Sequence, residues 1–491
     1  MNLYVINHGF HYELENVARL FFPNEKITVV RECERKEEPY IYTEMSDKLT
    51  VEVKAGDFNK SLNTENTGED NEKELSLAQM LYKLLCEFTG INQPWGLLTG
   101  VRPIKLFRNV SNEQGFEKAK EIFANDYYVS PEKLNLAVMT EENERKIIEL
   151  SKPDSFSLYV GVPFCPSRCS YCSFVMSSIE RAKKLVDPYA DLLCEEIKLT
   201  AEIANKLGLR LETVYFGGGT PTTLSAEQLS KVIGTVNGNF NMSACREFTV
   251  EAGRPDTITA EKLKALKENN VDRISINPQT LNDDVLREIG RKHTVQQFFD
   301  AFALARKCGF TNINTDLIAG LPTDTYESFK NSVDGFFRPT DIFKVDGILA
   351  LDAECITVHT LSMKRSSTLT EKGVTIDREG AETTRKMLEY NQNELLKKNY
   401  IPYYLYRQSR MAGNLENVGW SKKGYESLYN VYVMDETHTI LGCGSGAVTK
   451  LKRNNPDYLE RIFNFKYPYE YIDRFEEMIK RKNAISAFYT Q

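Results

Sequence analysis

The chain has 491 residues and a formal charge of −7, from 62 Lys and Arg against 69 Asp and Glu. This acidic balance argues against a surface that neutralises phosphates, so we expect no nucleic-acid partner. No apolar run approaches the roughly 20 residues of a membrane-spanning helix, and the start MNLYVINH lacks the features of a secretory signal. We therefore expect a cytoplasmic protein without a membrane span, of about three domains at roughly 150 residues each.

Residues 1–150 read as an N-terminal α+β module. Three short runs have the apolar character of strands: Leu3–Ile6, Ile27–Val30 and Leu49–Val53. The polar, acidic stretch from Asp57 to Glu74 is predicted to be a flexible loop. Apolar residues between Leu75 and Phe88 then recur at helical spacing, which indicates an amphipathic helix.

Strand and helix candidates alternate from Phe156 onwards, which predicts a parallel sheet built from right-handed βαβ units. The predicted strands are Ser157–Val162, Glu212–Phe216, Glu247–Glu251, Arg273–Asn277, Asn312–Leu317 and Ile356–Leu361. The predicted helices are Pro188–Leu207, Ala226–Val236, Ala260–Asn269, Val295–Lys307 and Tyr326–Phe336. The fold class is therefore α/β, with a partial, TIM-like (β/α)6 barrel over 156–370 and a mixed α/β extension over 371–491 that covers the substrate.

Three of the ten cysteines stand within eight residues, as Cys165, Cys169 and Cys172 in a C-x3-C-x2-C pattern just after the first barrel strand. Ligand chemistry gathers in such loops of α/β folds. Three thiolates would leave one iron of a [4Fe–4S] cluster open to another ligand. A zinc loop with a distant fourth ligand, or three unligated thiols, remain alternatives. The other cysteines, among them Cys33, Cys308 and Cys443, are predicted to be reduced, single core residues.

Polar or glycine-rich motifs follow the next strands. The run FGGGTPT (216–222) lets the backbone approach a ligand closely. Glu251, Gln279 and Asp316 end or follow the third, fourth and fifth strands, where a nucleoside would find partners for its hydroxyl groups. Each of them could equally be a helix cap or a solvated loop residue, as could Arg291 and the neighbouring His293, which we expect to be a solvated loop histidine.

Together these motifs resemble the radical S-adenosylmethionine (SAM) superfamily, and within it the oxygen-independent coproporphyrinogen III oxidases. YVGVPFC (159–165), the GGGTPT loop, RISINPQ (273–279) and DLIAGLP (316–322) match in order. GVRPIK (100–105), VHTL (358–361) and the run 403–419 resemble the HemZ-type branch, which extends the likeness over essentially the whole chain.

The resemblance implies a radical SAM oxidoreductase with a [4Fe–4S] cluster and one SAM or two. It places the cluster ligands at Cys165, Cys169 and Cys172, and catalytic roles at Tyr159 and Arg291. The SAM contacts that it implies are Tyr159, Tyr171, Gly218, Gly219, Thr220, Glu251, Gln279, Arg291, Asp316 and Val448. A low-potential electron donor is a further implied partner.

The implied substrate is a tetrapyrrole, coproporphyrinogen III, whose propionates would lose CO2 to give the vinyl groups of protoporphyrinogen IX, in porphyrin and haem biosynthesis. Decarboxylating members carry a fourth cysteine where this chain has Phe174, and related haem chaperones also have Phe there. The alternative is therefore a haem chaperone without this activity. For a propionate-edged substrate, cationic and aromatic partners are expected; the candidates are Tyr403, Tyr404, Tyr406, Arg407, Lys364 and Arg365.

Overall fold

The computed structural model describes residues 1–32, 35–174, 176–336, 345–454 and 457–490. The chain forms two compact units, one of residues 1–138 with 406–416 and the other of residues 139–405 with 417–491. Residues 406–416 lie between two strands of the second unit in sequence, yet they pack within the first.

The first unit is built on a five-stranded sheet in the order β2-β1-β3-β4-β5. Its strands are β1 Asn2–Ile6, β2 Thr28–Val30, β3 Tyr40–Met45, β4 Lys48–Ala55 and β5 Phe58–Glu65. Its helical segments are α1 His11–Phe21, α2 Asp70–Thr89, α3 Pro103–Gln114, α4 Phe116–Glu121 and a π-helical turn, Ile122–Asp126; α5, Pro131–Ile148, follows. Apolar faces of α1 and α2 form one core with β1, β3 and β4.

The prediction of a flexible loop over Asp57–Glu74 is wrong. The stretch forms strand β5, which pairs antiparallel with β4, and then the first turns of α2. β5 is an edge strand with seven of its eight residues exposed, so it has no apolar alternation from which a strand could be predicted. The acidic residues Glu69 and Glu72 form a capping box at the start of α2, which explains their place in the sequence.

The second unit alternates strands and helices. Its first strands are β6 Ser155–Val162, the short β7 Phe164–Cys165 and β8 Ser177–Ser178, β9 Arg210–Gly218, β10 Glu247–Glu251, β11 Arg273–Ser275 and β12 Ile313–Ala319. Its later strands are β13 Gly335–Phe336, β14 Val345–Asp346, β15 Cys355–Thr360, β16 Ile401–Tyr406, β17 Asn417–Ser421, β18 Thr439–Cys443, β19 Val448–Asn454 and β20 Asp457–Phe463.

The helices of this unit stand between its strands. They are α6 Ile179–Lys206, α7 Ala226–Asn239, α8 Ala260–Glu268, α9 Asp283–Glu288, α10 Val295–Lys307, α11 Tyr326–Asp334, α12 Thr368–Glu371, α13 Arg378–Lys397, α14 Leu428–Asp435, α15 Pro468–Asp473 and α16 Phe475–Thr490. The helix predicted to begin at Pro188 begins at Ile179 and carries that proline inside it. The sequence misled because proline is favoured in the first turn of a helix.

The described residues of the second unit include one large sheet, in the order β16-β17-β15-β12-β11-β10-β9-β6-β18-β19-β20. The six strands from β15 to β6 pair in parallel, which confirms the predicted partial (β/α)6 barrel. The strand β18 of the C-terminal extension adds a seventh parallel strand beside β6. β17, β19 and β20 pair antiparallel with their neighbours. The extension therefore continues the sheet of the barrel on both of its edges.

This sheet sets the place of the site, because its parallel strands bring their carboxyl ends to one edge. Within the described ranges, no helix is both long enough and apolar enough to cross a bilayer. Cys194, Cys355 and Cys443 are buried single thiols, Cys86, Cys245 and Cys308 are partly buried, and Cys33 lies outside the described residues.

Candidate active site at the carboxyl ends of the barrel strands

The three clustered cysteines lie on the loop that joins β6 to α6. The short strands β7 and β8 pair in parallel and close this loop. The backbone NH of Cys172 donates to the carbonyl of Cys169 at 3.1 Å, which tightens the turn between them, and Ser170 donates to the carbonyl of Ile289 at 2.9 Å. The loop is thus held by its own turn and by the segment after α9.

The glycine run at the end of β9 lies directly against this loop. Gly219 and Thr220 donate backbone hydrogen bonds to the carbonyls of Val162 and Phe164, at 2.8 and 2.7 Å. A Cβ atom on Gly219 would meet the Phe164 carbonyl oxygen at 2.6 Å, so this position requires glycine. The Thr220 hydroxyl lies 3.3 Å from the Cys165 sulfur.

The Arg291 side chain joins the cysteine loop to two strand ends. One terminal nitrogen approaches the Tyr171 hydroxyl at 3.3 Å and the Cys169 sulfur at 3.9 Å. The other donates to the carbonyls of Gly253 and Asn277 at 2.8 and 2.6 Å. The structure therefore brings Arg291 against Cys169 and Tyr171 of the cysteine loop, from which it is separated by 122 and 120 residues in sequence.

A second group forms around Glu251. Tyr215, which the sequence analysis did not single out, donates its hydroxyl proton to this carboxylate at 2.5 Å. The rings of Tyr159 and Tyr215 stack with centroids 6.4 Å apart. Burial raises the pKa of Glu251 to about 7; the nearby Asp316 raises it too, while the Tyr215 hydrogen bond and His359 oppose the rise. Glu251 therefore changes charge near neutral pH.

Gln279 and Asp316 meet where β11 leaves the sheet. The backbone of Gln279 has a positive φ of 73° and donates to the carbonyl of Asp316 at 2.9 Å. The Asp316 carboxylate accepts from the Asn314 amide at 2.7 Å and lies 3.6 Å from the His359 ring.

Val448 takes a different position from the other predicted contacts. It opens β19, where it pairs with Phe463, and its backbone lies against Gly442. The glycine loop before it does approach the barrel, because a Cβ atom on Gly444 would meet the Gly161 carbonyl oxygen at 2.4 Å.

Three other expectations need correction. His293 was expected to be solvated, but it is only 2% exposed, and burial lowers its pKa to about 3. Arg407 donates to the carbonyls of Leu98 and Asn414 within the first unit, and its guanidinium is buried. Tyr403 and Tyr404 are also buried. Arg407, Tyr403 and Tyr404 therefore do not fit an exposed propionate anchor, and Tyr406, Lys364 and Arg365 are the candidates left.

Arg254 is the main site residue that the sequence analysis missed. It lies 3.7 Å from the Cys169 sulfur and donates to the Ser167 side chain at 3.0 Å. Arg254 follows the strand-end Glu251 by three residues, a position typical of an ordinary turn residue. The sequence therefore did not predict its contact with Cys169.

The comparisons with known proteins agree with this geometry. A sequence model of the radical SAM superfamily matches residues 159–334. The chain is 35% identical over 495 residues to the oxygen-independent coproporphyrinogen-III oxidase-like protein HemZ of Bacillus subtilis, an alignment that spans 96% of this chain and 94% of that protein. The chain belongs to the HemZ-type family of radical SAM proteins.

Two further relatives match parts of the chain. The heme chaperone HemW of Bacillus subtilis is 40% identical over 206 residues, which is 42% of this chain and 50% of that protein. The structure of coproporphyrinogen III oxidase (HemN) from Escherichia coli superimposes with a TM-score of 0.50 at 20% identity, over 68% of this chain and 72% of that one. This likeness supports the shared fold.

Radical SAM membership implies a [4Fe–4S] cluster and SAM, and the residues present fit both. Three thiols stand on one loop, and burial raises the pKa of Cys165 to about 12, so its thiolate needs a metal or a cation to persist. Among the described residues, no three His, Cys, Asp or Glu side chains form a single-ion site.

Several buried polar atoms of the site have no partner within the described ranges. They are the Gln279 side-chain oxygen, the Arg291 Nε, the Ser170 hydroxyl and both ring nitrogens of His293. Buried polar groups are ordinarily hydrogen-bonded. Of these atoms, the Gln279 oxygen and the Arg291 Nε belong to residues that the family resemblance assigns to SAM, and they fit a polar ligand such as SAM.

Proposed function

We propose that this chain is a radical SAM oxidoreductase that decarboxylates the propionates of coproporphyrinogen III to vinyl groups. The similarity over 96% of the chain to a coproporphyrinogen-III oxidase-like protein carries the proposal. The family fold and the cysteine loop support the chemistry, and the substrate is inferred from the names of relatives.

Each site residue has a defined task in this proposal. Cys165, Cys169 and Cys172 would hold the cluster, which with SAM would supply the radical chemistry that removes a hydrogen atom from the β-carbon of a propionate. Loss of CO2 and of one electron, passed to an electron acceptor, would leave the vinyl group. A low-potential donor would supply the reducing electron, and two propionates would react in each turnover.

The chain's own residues bind and orient the SAM. The backbone of Gly218 and Gly219, with Thr220, would bind the amino-acid moiety. The Arg291 Nε, which has no partner among the described residues, would offer its carboxylate a charged donor. Glu251, Gln279 and Asp316 face the nucleoside. Tyr159 and Tyr171 border the reacting atoms, and Val448 completes the contacts or belongs to a second SAM.

The substrate's propionates need cations at the mouth of the site. Lys364 and Arg365 follow β15, and Arg168 of the cysteine loop donates to the carbonyl of Ser366 at 2.6 Å. Arg168 and Arg365 are exposed, so they are available to carboxylates at the surface, where Arg pairs with both oxygens.

The experiment is an anaerobic assay of the reconstituted protein with coproporphyrinogen III, SAM and a low-potential reductant. We expect protoporphyrinogen IX, with two 5′-deoxyadenosine molecules formed for each product molecule. Formation of 5′-deoxyadenosine without any vinyl product would rule out this substrate. The Cys169→Ala variant, which lacks a full ligand set, controls for chemistry outside the site.

A haem chaperone is the second candidate, and Phe174 favours it. This residue stands two positions after Cys172, is 69% exposed, and occupies the place of the fourth cysteine of decarboxylating enzymes. The similarity to HemW covers 42% of the chain. A chaperone would bind haem in a tight 1:1 complex, and it would leave coproporphyrinogen III unchanged in the assay above. A spectroscopic haem titration of the same preparation separates the two candidates.

A further inference from the structure

Two buried guanidinium groups converge on the sulfur of Cys169. Arg254 approaches it at 3.7 Å and Arg291 at 3.9 Å, and these side chains belong to residues only 3% and 6% exposed. By contrast, the hydrogen-bond partner of Cys165 is the neutral hydroxyl of Thr220. The environment of the three thiols is therefore unequal, because both buried guanidinium groups make their sulfur contacts at the middle cysteine.

Arg254 is fixed in this position from two sides. Asp256 accepts two hydrogen bonds from it, at 3.1 and 3.2 Å. Its terminal nitrogens donate to the carbonyl and the hydroxyl of Ser167, at 3.3 and 3.0 Å. The Ser167 hydroxyl in turn donates to the Gly290 carbonyl at 2.9 Å. Arg254 thus ties the end of β10 to the cysteine loop.

A permanent positive charge at a cluster ligand favours the more negative state of the cluster. Reduction adds an electron, and a nearby buried cation stabilises that added charge more strongly than it would in water. Net charge and hydrogen bonds to the sulfurs are among the factors that set the potentials of iron–sulfur clusters. Asp256 offsets part of this effect, because its carboxylate lies against the same guanidinium.

We propose that Arg254 is a positioning residue that holds Cys169 in the ligand set and raises the reduction potential of the cluster, with Asp256 as the opposing charge. Arg254 is distinct from Arg291, which the family resemblance assigns to SAM. The proposal rests on the cluster alone, so it stands whether the substrate is coproporphyrinogen III or haem.

The test measures the midpoint potential of the reconstituted full-length chain without SAM, by dye-mediated titration followed by electron paramagnetic resonance. We expect Arg254→Met to shift the midpoint to more negative values and Asp256→Asn to shift it to more positive values. Arg254→Lys, which keeps the charge but loses the paired hydrogen bonds, should shift it less than Arg254→Met. Arg287→Met, at an exposed arginine that pairs with Asp284 on α9, is the matched control and should leave the potential unchanged.

Iron and sulfide content are measured on every variant. An Arg254→Met variant with a full cluster and the wild-type midpoint would overturn the proposal. If Arg254→Met loses its iron, Asp256→Asn decides, because it keeps the guanidinium and the cysteine loop contacts. No shift, or a shift to more negative values, in Asp256→Asn would then contradict the electrostatic role.

Discussion

A buried polar network at the amino ends of the barrel strands contrasts with the polar groups at their carboxyl ends. At the amino ends, the Glu212 carboxylate accepts from Ser155 at 2.5 Å, from Arg210 at 2.6 Å, and from Arg246 and Tyr432. His438 lies between the hydroxyls of Ser157 and Ser151, at 2.9 Å from each. Every polar group of this network therefore has a partner within the protein.

At the carboxyl ends, Gln279, Arg291, Ser170 and His293 each leave at least one buried polar atom without a partner among the described residues. Unmade hydrogen bonds cost about 1–3 kcal/mol each, so this end gives up stability that the amino end keeps. In parallel barrels the carboxyl ends carry the chemistry and the amino ends carry stability. The comparison predicts that substitutions at the two ends have separable effects.

Removal of one cluster ligand should give the largest effect. It should abolish iron binding at the carboxyl end of the barrel and leave the fold unchanged. We expect Cys169→Ala to lose the cluster, and with it the brown colour and the absorption near roughly 400 nm of thiolate-ligated iron. Its circular dichroism should match the wild type, because the loop is not part of the barrel core. Cys308→Ala, at a partly buried single thiol, is the control and should keep its iron. A colourless wild-type protein after anaerobic purification would contradict the cluster itself.

Breaking the polar network at the amino ends should lower the stability of the fold and leave iron binding unchanged. Glu212→Gln leaves the half-buried guanidinium groups of Arg246 and Arg210 without their carboxylate. We expect a loss of about 2 kcal/mol in the free energy of unfolding, because the substitution breaks hydrogen bonds to a buried charged group. Iron content after reconstitution should stay at the wild-type value. The exposed pair Glu195 and Lys198 provides the control, and Glu195→Gln should cost less than about 0.5 kcal/mol. Equal midpoints of urea unfolding for Glu212→Gln and Glu195→Gln would contradict a stabilising role of the amino-end network.

The sequence predicted the barrel well because its buried parallel strands are short apolar runs with helices between them. Glu247–Glu251 and Val295–Lys307 were predicted to the residue. β5 escaped prediction because an exposed edge strand has no buried face. The packing of residues 406–416 in the first unit also escaped, since contacts between distant segments, such as Asn414 with Gln93, have no periodicity in sequence.

The candidate site was predicted in part. Motif spacing placed the cysteines, the glycine run and the strand-end residues, because these depend on the order of strands and loops. The partners that set their charge come from elsewhere in the chain: Arg254 at Cys169 and Tyr215 at Glu251. The sequence does not distinguish a buried arginine or tyrosine from an exposed one, so only the folded structure shows what the side chain contacts.

Glu251, at the carboxyl end of β10, should make the free energy of unfolding depend on pH. Burial raises its pKa to about 7 from an unfolded value near 4.5, so the folded state keeps a proton that the unfolded chain releases. The contribution of this group is present in full below the unfolded pKa, is lost as the pH rises through about 7, and is then constant. We expect a decline of about 3 kcal/mol in the free energy of unfolding over this window. Glu251→Gln should flatten it, and an unchanged pH profile in that variant would contradict the assignment.

The smallest expected effect on stability, and the sharpest contrast between two similar residues, involves two buried glutamines. The Gln279 side-chain oxygen has no partner among the described residues, whereas Gln93 donates to the Leu20 carbonyl at 2.8 Å and accepts from Asn414 at 3.1 Å. Replacing an unpartnered buried polar group by an apolar one removes its desolvation cost, while removing one partner of a buried hydrogen bond costs about 1–3 kcal/mol.

We therefore expect Gln279→Met to raise the free energy of unfolding of the ligand-free protein by about 1 kcal/mol, and Gln93→Met to lower it by about 2 kcal/mol. The affinity for SAM, measured by equilibrium binding to the reconstituted protein, should be lowered by the other substitution of the pair. Gln279→Met should bind SAM about tenfold more weakly, the equivalent of 1.4 kcal/mol, because the ligand loses its partner, and Gln93→Met should bind it normally. Normal SAM affinity in Gln279→Met would mean that the Gln279 side-chain oxygen does not bind SAM. The missing hydrogen bond of this oxygen would then not reflect a functional role of the carboxyl end.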